Sequence, residues 1–386
     1  MEKDRNYALD SLRGFASIGV CIRHYLHFID FPQFISAPFS NALIICYKLG
    51  GLFVDFFFCL SGFIFFCYYA EKISSREVKF KEFVILRISR LYPLILITLV
   101  ITSILQYTLF INQGKFFIYH NNNYFTFFTN LCFLQRGFFG GDFSFNGPTW
   151  SLAIEFWLYL IFFYLSYSYP KQLGFLAPLI SLLFFTAYSN DIRFGMIIFS
   201  ADFERGLSNF FLGGTLYYCV KYLKDNFDSY LNFIGFTAFF LSVTGYVLTH
   251  LTLSSNPHSL IQDPFEDFFL SFSMIIHPGL ILSLSISPVL NKFFSNKLFG
   301  FFGDISYSIY LWHVPLQLFI YILFFKYNIN LQLHTYRTFV LYFLALFALS
   351  YLSYKFLEIP AKKMIRSKLL TKDNVKTPPI YLQKVI

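Results

Sequence analysis

Charge is what this sequence has least of. Only 13% of its 386 residues are Asp, Glu, Lys or Arg, against 56% that are apolar, which is too little polar surface to coat a soluble globule of this length. Disorder is excluded by the same arithmetic, since aromatic residues make up 23% of the chain, with 57 Phe and 28 Tyr. A disulfide framework is lacking too. The six cysteines, at 21, 46, 59, 67, 132 and 219, form no Cys-x-x-Cys pair and five stand inside apolar runs, which predicts buried thiols. No removable leader is expected, because Arg13, Arg23, His24 and His27 interrupt any signal-peptide core and no small-residue cleavage site follows. Nor is there an internal repeat or a second soluble domain.

What is present is apolar sequence in membrane-sized pieces. Spans of about 20 residues are predicted near 8–29, 46–70, 91–111, 149–168, 171–188, 207–224, 230–250, 268–288, 304–326 and 335–357, separated by Pro, Gly, Asn or charge. The fold class is therefore an all-α polytopic membrane bundle of about ten helices. Lys and Arg exceed Asp and Glu by 30 to 21, a net charge of +9, which in such a protein points to cytoplasmic loops and anionic lipid, with no nucleic acid partner. Lys72, Arg76, Lys79 and Lys81 follow span two, Lys171 span four, Lys221 and Lys224 span six, Lys292 and Lys297 span eight. The loop after span seven instead carries Asp263, Glu266 and Asp267. This alternation predicts both termini in the cytoplasm, with Arg193 and Arg205 after span five as exceptions. The 40-residue stretch between spans three and four is expected to hold a re-entrant or interfacial piece. Residues 1–363 read as one transmembrane domain and 364–386 as a basic cytoplasmic tail.

Polar residues inside such spans are costly, from about 2.5 kcal/mol each at the membrane centre, and so mark function or a required partner. Arg13 and His24 are eleven helical steps apart, which returns to within about 20° of the starting direction and climbs about 16 Å. Both therefore share one face, Arg13 toward the cytosol and His24 in the outer half. His27, three residues on, could pair with His24 on a metal, but no third ligand sits at a diagnostic spacing and no metal is expected. Asp55 interrupts an apolar helix and needs a partner. Ser61, beside Gly62, reads as a packing residue. Arg87 and Arg90, at i and i+3 before span three, lie at the same inner level as Arg13, where three guanidinium groups suit a phosphate-bearing ligand. Glu155 falls in the outer half at a depth similar to His24. His313 is placed near mid-membrane and Glu358 at the inner end.

Asp10-Ser11-Leu12-Arg13-Gly14 with His24, the run from Asp55 to Phe63, Arg90-Leu91-Tyr92-Pro93, Trp150-Ser151-Leu152 with Glu155, Tyr307 to Pro315, and Glu358-Ile359-Pro360 together resemble the acyltransferase-3 family. The resemblance runs in family order from residue 7 to about 363. It implies a bundle of about ten helices that moves an acyl group, acetyl first of all, from cytosolic acyl-CoA to a hydroxyl of a cell-surface glycan. It also implies a functional Arg13 and His24, donor binding by the arginines before span three, and residence in the cytoplasmic (inner) membrane. The family often spaces that arginine pair by four; here position 86 is Leu and the pair is Arg87 and Arg90. Some members carry a further extracytoplasmic hydrolase-like domain, which is not expected in a sequence of this length.

The expected mechanism follows. Acyl-CoA (acetyl-CoA), a donor substrate and not a permanently bound cofactor, docks its phosphates on Arg13, Arg87 and Arg90. Its arm runs along the first helix, and His24, oriented by Glu155 or Asp55, deprotonates the acceptor hydroxyl. This requires a continuous polar passage from the arginines to His24. The rivals are an acceptor that is a lipid or small secondary metabolite, or a glycolipid transporter without acyl chemistry.

Overall fold

The computed structural model describes residues 7–29, 36–136, 141–190, 200–255, 265–329 and 332–370. All regular structure in them is helical. In chain order the helices are α1 (Tyr7–Tyr25), α2 (Ile44–Leu49), α3 (Leu52–Ser74), α4 (Phe80–Gln113), α5 (Tyr124–Leu131), α6 (Trp150–Ser168), α7 (Leu173–Ser189), α8 (Ala201–Asn226), α9 (Leu231–Ser255), α10 (Phe265–Ser271), α11 (His277–Ile286), α12 (Pro288–Phe294), α13 (Lys297–Tyr327), α14 (Tyr336–Ser353) and α15 (Ile359–Leu369).

Their ends carry local stop and start signals. Asn123 and Thr126 form a reciprocal capping box on α5, and Asn296 accepts from the Phe299 amide at 2.9 Å to open α13. Gly114, in the left-handed region at φ 70°, closes α4.

Seven helical segments among the described residues are long and apolar enough to cross a membrane: Leu52–Ser74, Phe80–Gln113, Gly147–Ser168, Asp228–Ser255, Phe268–Ile286, Lys297–Tyr327 and Tyr336–Leu369. The other three expected spans coincide with helices of a different character. Helix α1 carries Asp10, Arg13 and Arg23, α8 carries Asp202, Glu204 and Arg205 near its start and Lys221 and Lys224 near its end, and α7 is only 17 residues long. Arg193 and Asp263 lie outside the described residues, as does the tail beyond 370.

Three further expectations are revised. Helix α4 begins at Phe80, so Arg87 and Arg90 lie within a continuous 34-residue helix and do not precede it. Helix α15 runs through position 363, so the expected tail begins inside an ordered helix that packs on α4. Of the thiols, Cys21 and Cys59 are buried, whereas Cys67, Cys132 and Cys219 lie on the outside of the bundle. Between α4 and α6, α5 turns Tyr124, Phe125 and Phe128 outward, the aromatic display of an interfacial helix.

Two seams organise the bundle. In one, α3 lies against α8 so closely that a Cβ at Gly62 would collide with the Phe210 carbonyl, and one at Gly213 with the Cys59 carbonyl; small residues let two membrane helices touch backbone to backbone. In the other, α1 lies along α13. Pro315 interrupts α13 and lacks the amide that would bond the Leu311 carbonyl. That carbonyl instead accepts from Asn146 Nδ2 at 2.9 Å, tying the loop before α6 to the middle of α13.

The α3–α8 seam also holds a buried ion pair. Arg205 donates to Asp55 through Nη2 at 2.8 Å and Nε at 3.2 Å, and Asp55 is fully buried. Asp55→Ala is expected to destabilise the detergent-solubilised protein by about 3–5 kcal/mol, because the Arg205 charge is left buried without this partner. The double change Asp55→Leu with Arg205→Leu is expected to cost less than Asp55→Ala alone. Thermal unfolding of both variants checks the order.

Candidate active site

Of the sequence-predicted residues, Arg13, Arg90 and Glu155 line one cavity and His24 lines a second, while Asp55 and Arg87 are buried in the helix packing. The two are named inner and outer after the sides the sequence assigns to Arg13 and His24; the inner one, a narrow space of about 60 Å³, is lined by Arg13, Ser61, Arg90, Glu155, Tyr159 and Tyr307 among others. Ser61 donates a hydrogen bond to Glu155 Oε1, and the Tyr159 hydroxyl donates to the same oxygen at 2.5 Å. Ser61 is therefore a donor to a half-buried carboxylate and more than a packing residue. Arg13 lies 3.9 Å from Asp10 in a loose i,i+3 pair and feels the charges of Arg90 and Glu155. Arg90 donates no hydrogen bond to any described residue. Arg87 sits one turn earlier on α4, 1% exposed, among the rings of Phe65, Tyr69 and Phe83. Its Nη2 donates to the Tyr69 hydroxyl at 2.7 Å, while Nε and Nη1 find no acceptor among the described residues.

The outer cavity, of about 430 Å³, is lined by Arg23, His24, Lys48, Arg136, Asp202 and Arg205 among others. Its wall is an ion network. Asp202 accepts from Arg136 Nε at 2.7 Å and from Arg205 Nη1 at 3.0 Å, and Arg205 continues to Asp55.

At the end of α1, His24 Nδ1 lies 2.9 Å from His313 Nε2. His313 Nδ1 lies 2.6 Å from the Tyr310 carbonyl, which can only accept, so Nδ1 of His313 carries the proton and its Nε2 the lone pair. His24 must then donate from Nδ1, which leaves its Nε2 lone pair as the free base. Gln317 fixes the same turn: its Nε2 donates to the His24 carbonyl at 2.9 Å, and its Oε1 accepts from His27 Nδ1 at 3.0 Å. The Tyr342 hydroxyl donates to the His313 carbonyl at 3.2 Å. His27 is thus committed to Gln317.

This arrangement corrects the expected orientation of His24. Asp55 is held by Arg205, and Glu155 sits in the inner cavity with Arg13 and Arg90; the side chain at hydrogen-bond distance from the His24 ring is His313. His24 and Arg13 do lie on one side of α1, but in different cavities. The two cavities adjoin at Val54 and Tyr310, which line both spaces, and the Tyr310 hydroxyl is anchored there by Ser151 Oγ at 2.8 Å and the Pro148 carbonyl at 2.9 Å. Asp202, Gln317 and the roles of Arg205 and His313 escaped the sequence reading. Gln317 is four residues after His313, the one signal that the two share a helix face.

The acyltransferase domain family model matches residues 6–355 of this chain. The O-acetyltransferase OatA of Staphylococcus aureus (strain NCTC 8325 / PS 47) is 26% identical over 387 residues, covering 92% of this chain and 57% of the relative. A putative O-acetyltransferase of Staphylococcus aureus (strain COL) is 24% identical over 400 residues, with the same two coverages, 92% and 57%. The chain thus spans a little over half the length of the curated relatives it matches. No solved structure matches it. With its apolar helices and a family match over nearly its whole length, this multi-pass membrane protein belongs to the acyltransferase-3 family.

Proposed function

We propose that the protein is a membrane O-acetyltransferase that uses His24 as general base. The observation that carries this reading is the chain from the Tyr310 carbonyl through His313 to His24, which orients the His24 ring and leaves Nε2 basic beside a cavity large enough for a sugar. The names of the relatives support acetyl as the acyl group. The two cavities support a donor and an acceptor that approach from different sides.

In this mechanism acetyl-CoA enters at the inner cavity, with its phosphates toward Arg13, Arg87 and Arg90, and its thioester reaches past Val54 and Tyr310 toward His24. A hydroxyl of a cell-surface glycan occupies the outer cavity. His24 Nε2 takes the hydroxyl proton as the oxygen attacks the thioester carbonyl carbon, and the tetrahedral intermediate forms. Arg23, which lines the same cavity and acts electrostatically on His24, stabilises the oxyanion. Collapse breaks the carbon–sulfur bond, the sulfur recovers the proton from His24, and an ester and CoA thiol leave. His313 acts through His24 as a positioning residue, while Glu155 serves the inner cavity as counter-charge to Arg13 and Arg90. The donor side is cytosolic and the membrane is the cytoplasmic one.

CoA thiol release by the purified protein in nanodiscs, with ester formation on the acceptor followed by mass, tests the reaction. His24→Ala is expected to lower kcat by about 10²–10⁴, the span of general-base catalysis; wild-type turnover in that variant sinks the reading. His313→Ala is expected to lower kcat as well, with His313→Gln recovering part of it because an amide oxygen can accept from His24 Nδ1. Glu155→Gln is expected to act mainly on the KM for the thioester. A kcat loss in Glu155→Gln as large as in His313→Ala would return Glu155 to the service of His24.

A further inference from the structure

The inner end of α4 gathers more positive charge than the donor arginines alone. Helix α15 packs against α4, and Arg366 reaches into it, donating from Nε to Ser89 Oγ at 3.1 Å, with Nη2 3.5 Å from the Leu86 carbonyl. Ser89 lies between Arg87 and Arg90. Arg366 feels the charges of both arginines, and Lys362, one turn earlier on the same face of α15, feels Arg87, Arg90, Arg366 and Glu358. Four cations thus share one corner, with Glu358 close by.

Like charges crowd together in a low-dielectric setting only when an anion compensates them. Two observations point to an anionic ligand here. Arg87 is 1% exposed yet two of its guanidinium nitrogens have no acceptor among the described residues; Arg90 donates no hydrogen bond to any described residue. Unmade hydrogen bonds on a buried guanidinium are costly, and a phosphate group is the acceptor that matches this fork.

We infer that Lys362 and Arg366 of α15 complete the donor site, and that they bind the phosphate groups of the nucleotide end of the coenzyme thioester together with Arg87 and Arg90. The inference rests on the proposed use of acetyl-CoA and adds to it a specific part of the site. The facing of α15 supports it. Lys362 and Arg366 turn inward and are partly buried, whereas Lys363 and Lys368 on the same helix are exposed. A helix that served only to hold anionic lipid headgroups would have no need to turn one pair of cations into the bundle.

The test compares two donors, acetyl-CoA and acetyl-pantetheine, which carries the same thioester but no nucleotide phosphate. Wild-type protein is assayed in zwitterionic nanodiscs for CoA or pantetheine thiol release, beside Lys362→Gln with Arg366→Gln and beside the control Lys363→Gln with Lys368→Gln. The double inward variant is expected to lose the preference for acetyl-CoA, its kcat/KM ratio between the two donors falling about tenfold or more, as for lost charge-assisted contacts. The loss should appear in KM, and adenosine 3′,5′-bisphosphate should inhibit it less than wild type. Because the readout is a ratio within one preparation, a general loss of folding leaves it unmoved. An unchanged ratio in the inward variant overturns the inference, as does an equal fall in the outward control, or a fall that appears only when anionic lipid is added, which would assign α15 to headgroup binding. Failure of wild-type protein to release thiol from either donor counts instead against the proposed reaction.

Discussion

The contact between α1 and α13 is the constraint on which the site depends. A polar ring at the end of one membrane helix has no water to satisfy it, so its partner must come from a neighbouring helix at hydrogen-bond distance. His24 and His313 meet that demand across this seam. Gln317 closes it from the other direction by donating to a carbonyl at the α1 terminus that the helix itself cannot satisfy. Lower down, Gly14 and Gly303 let the two backbones approach, since a Cβ on either would press into the opposite helix. The tautomer of His24 is therefore a property of two helices held in register, and the backbone break at Pro315 lies within the same stretch, its orphaned carbonyl satisfied by Asn146.

The other polar residues obey the same rule with different partners. Asp55 is neutralised by Arg205, which in turn shares Asp202 with Arg136. Glu155 draws its hydrogen bonds from Ser61 and Tyr159, and Glu358 accepts from Ser308. Each carboxylate is bound where it stands, and none of these bonds is to the His24 ring. Two acids that looked like assistants to His24 are thus accounted for by their immediate neighbours.

This explains what could be read in advance. The shared face of Arg13 and His24 follows from helix periodicity over eleven residues, and the apolar segments follow from composition, so both were legible. Arg205 stood out only as a misplaced positive charge, because its partner Asp55 lies 150 positions earlier and nothing local connects them. His313 stands 289 positions from His24, beyond any periodicity argument. Depth misled for Glu155: the sequence set it level with His24, whereas it lines the cavity of Arg13 and Arg90, because a span count does not fix where along its helix a residue meets its neighbours. Helices α1 and α8 escape an apolarity criterion partly for the reason that they carry the site, since Asp10 in α1 and Glu204 and Arg205 in α8 are buried inside the bundle.

Val54 and Tyr310 stand where the two cavities meet, since both residues line both spaces. Although Tyr310 belongs to α13, its hydroxyl is held by Ser151 and the Pro148 carbonyl, at the turn that opens α6. The start of α6 therefore governs how wide the junction between the two spaces is.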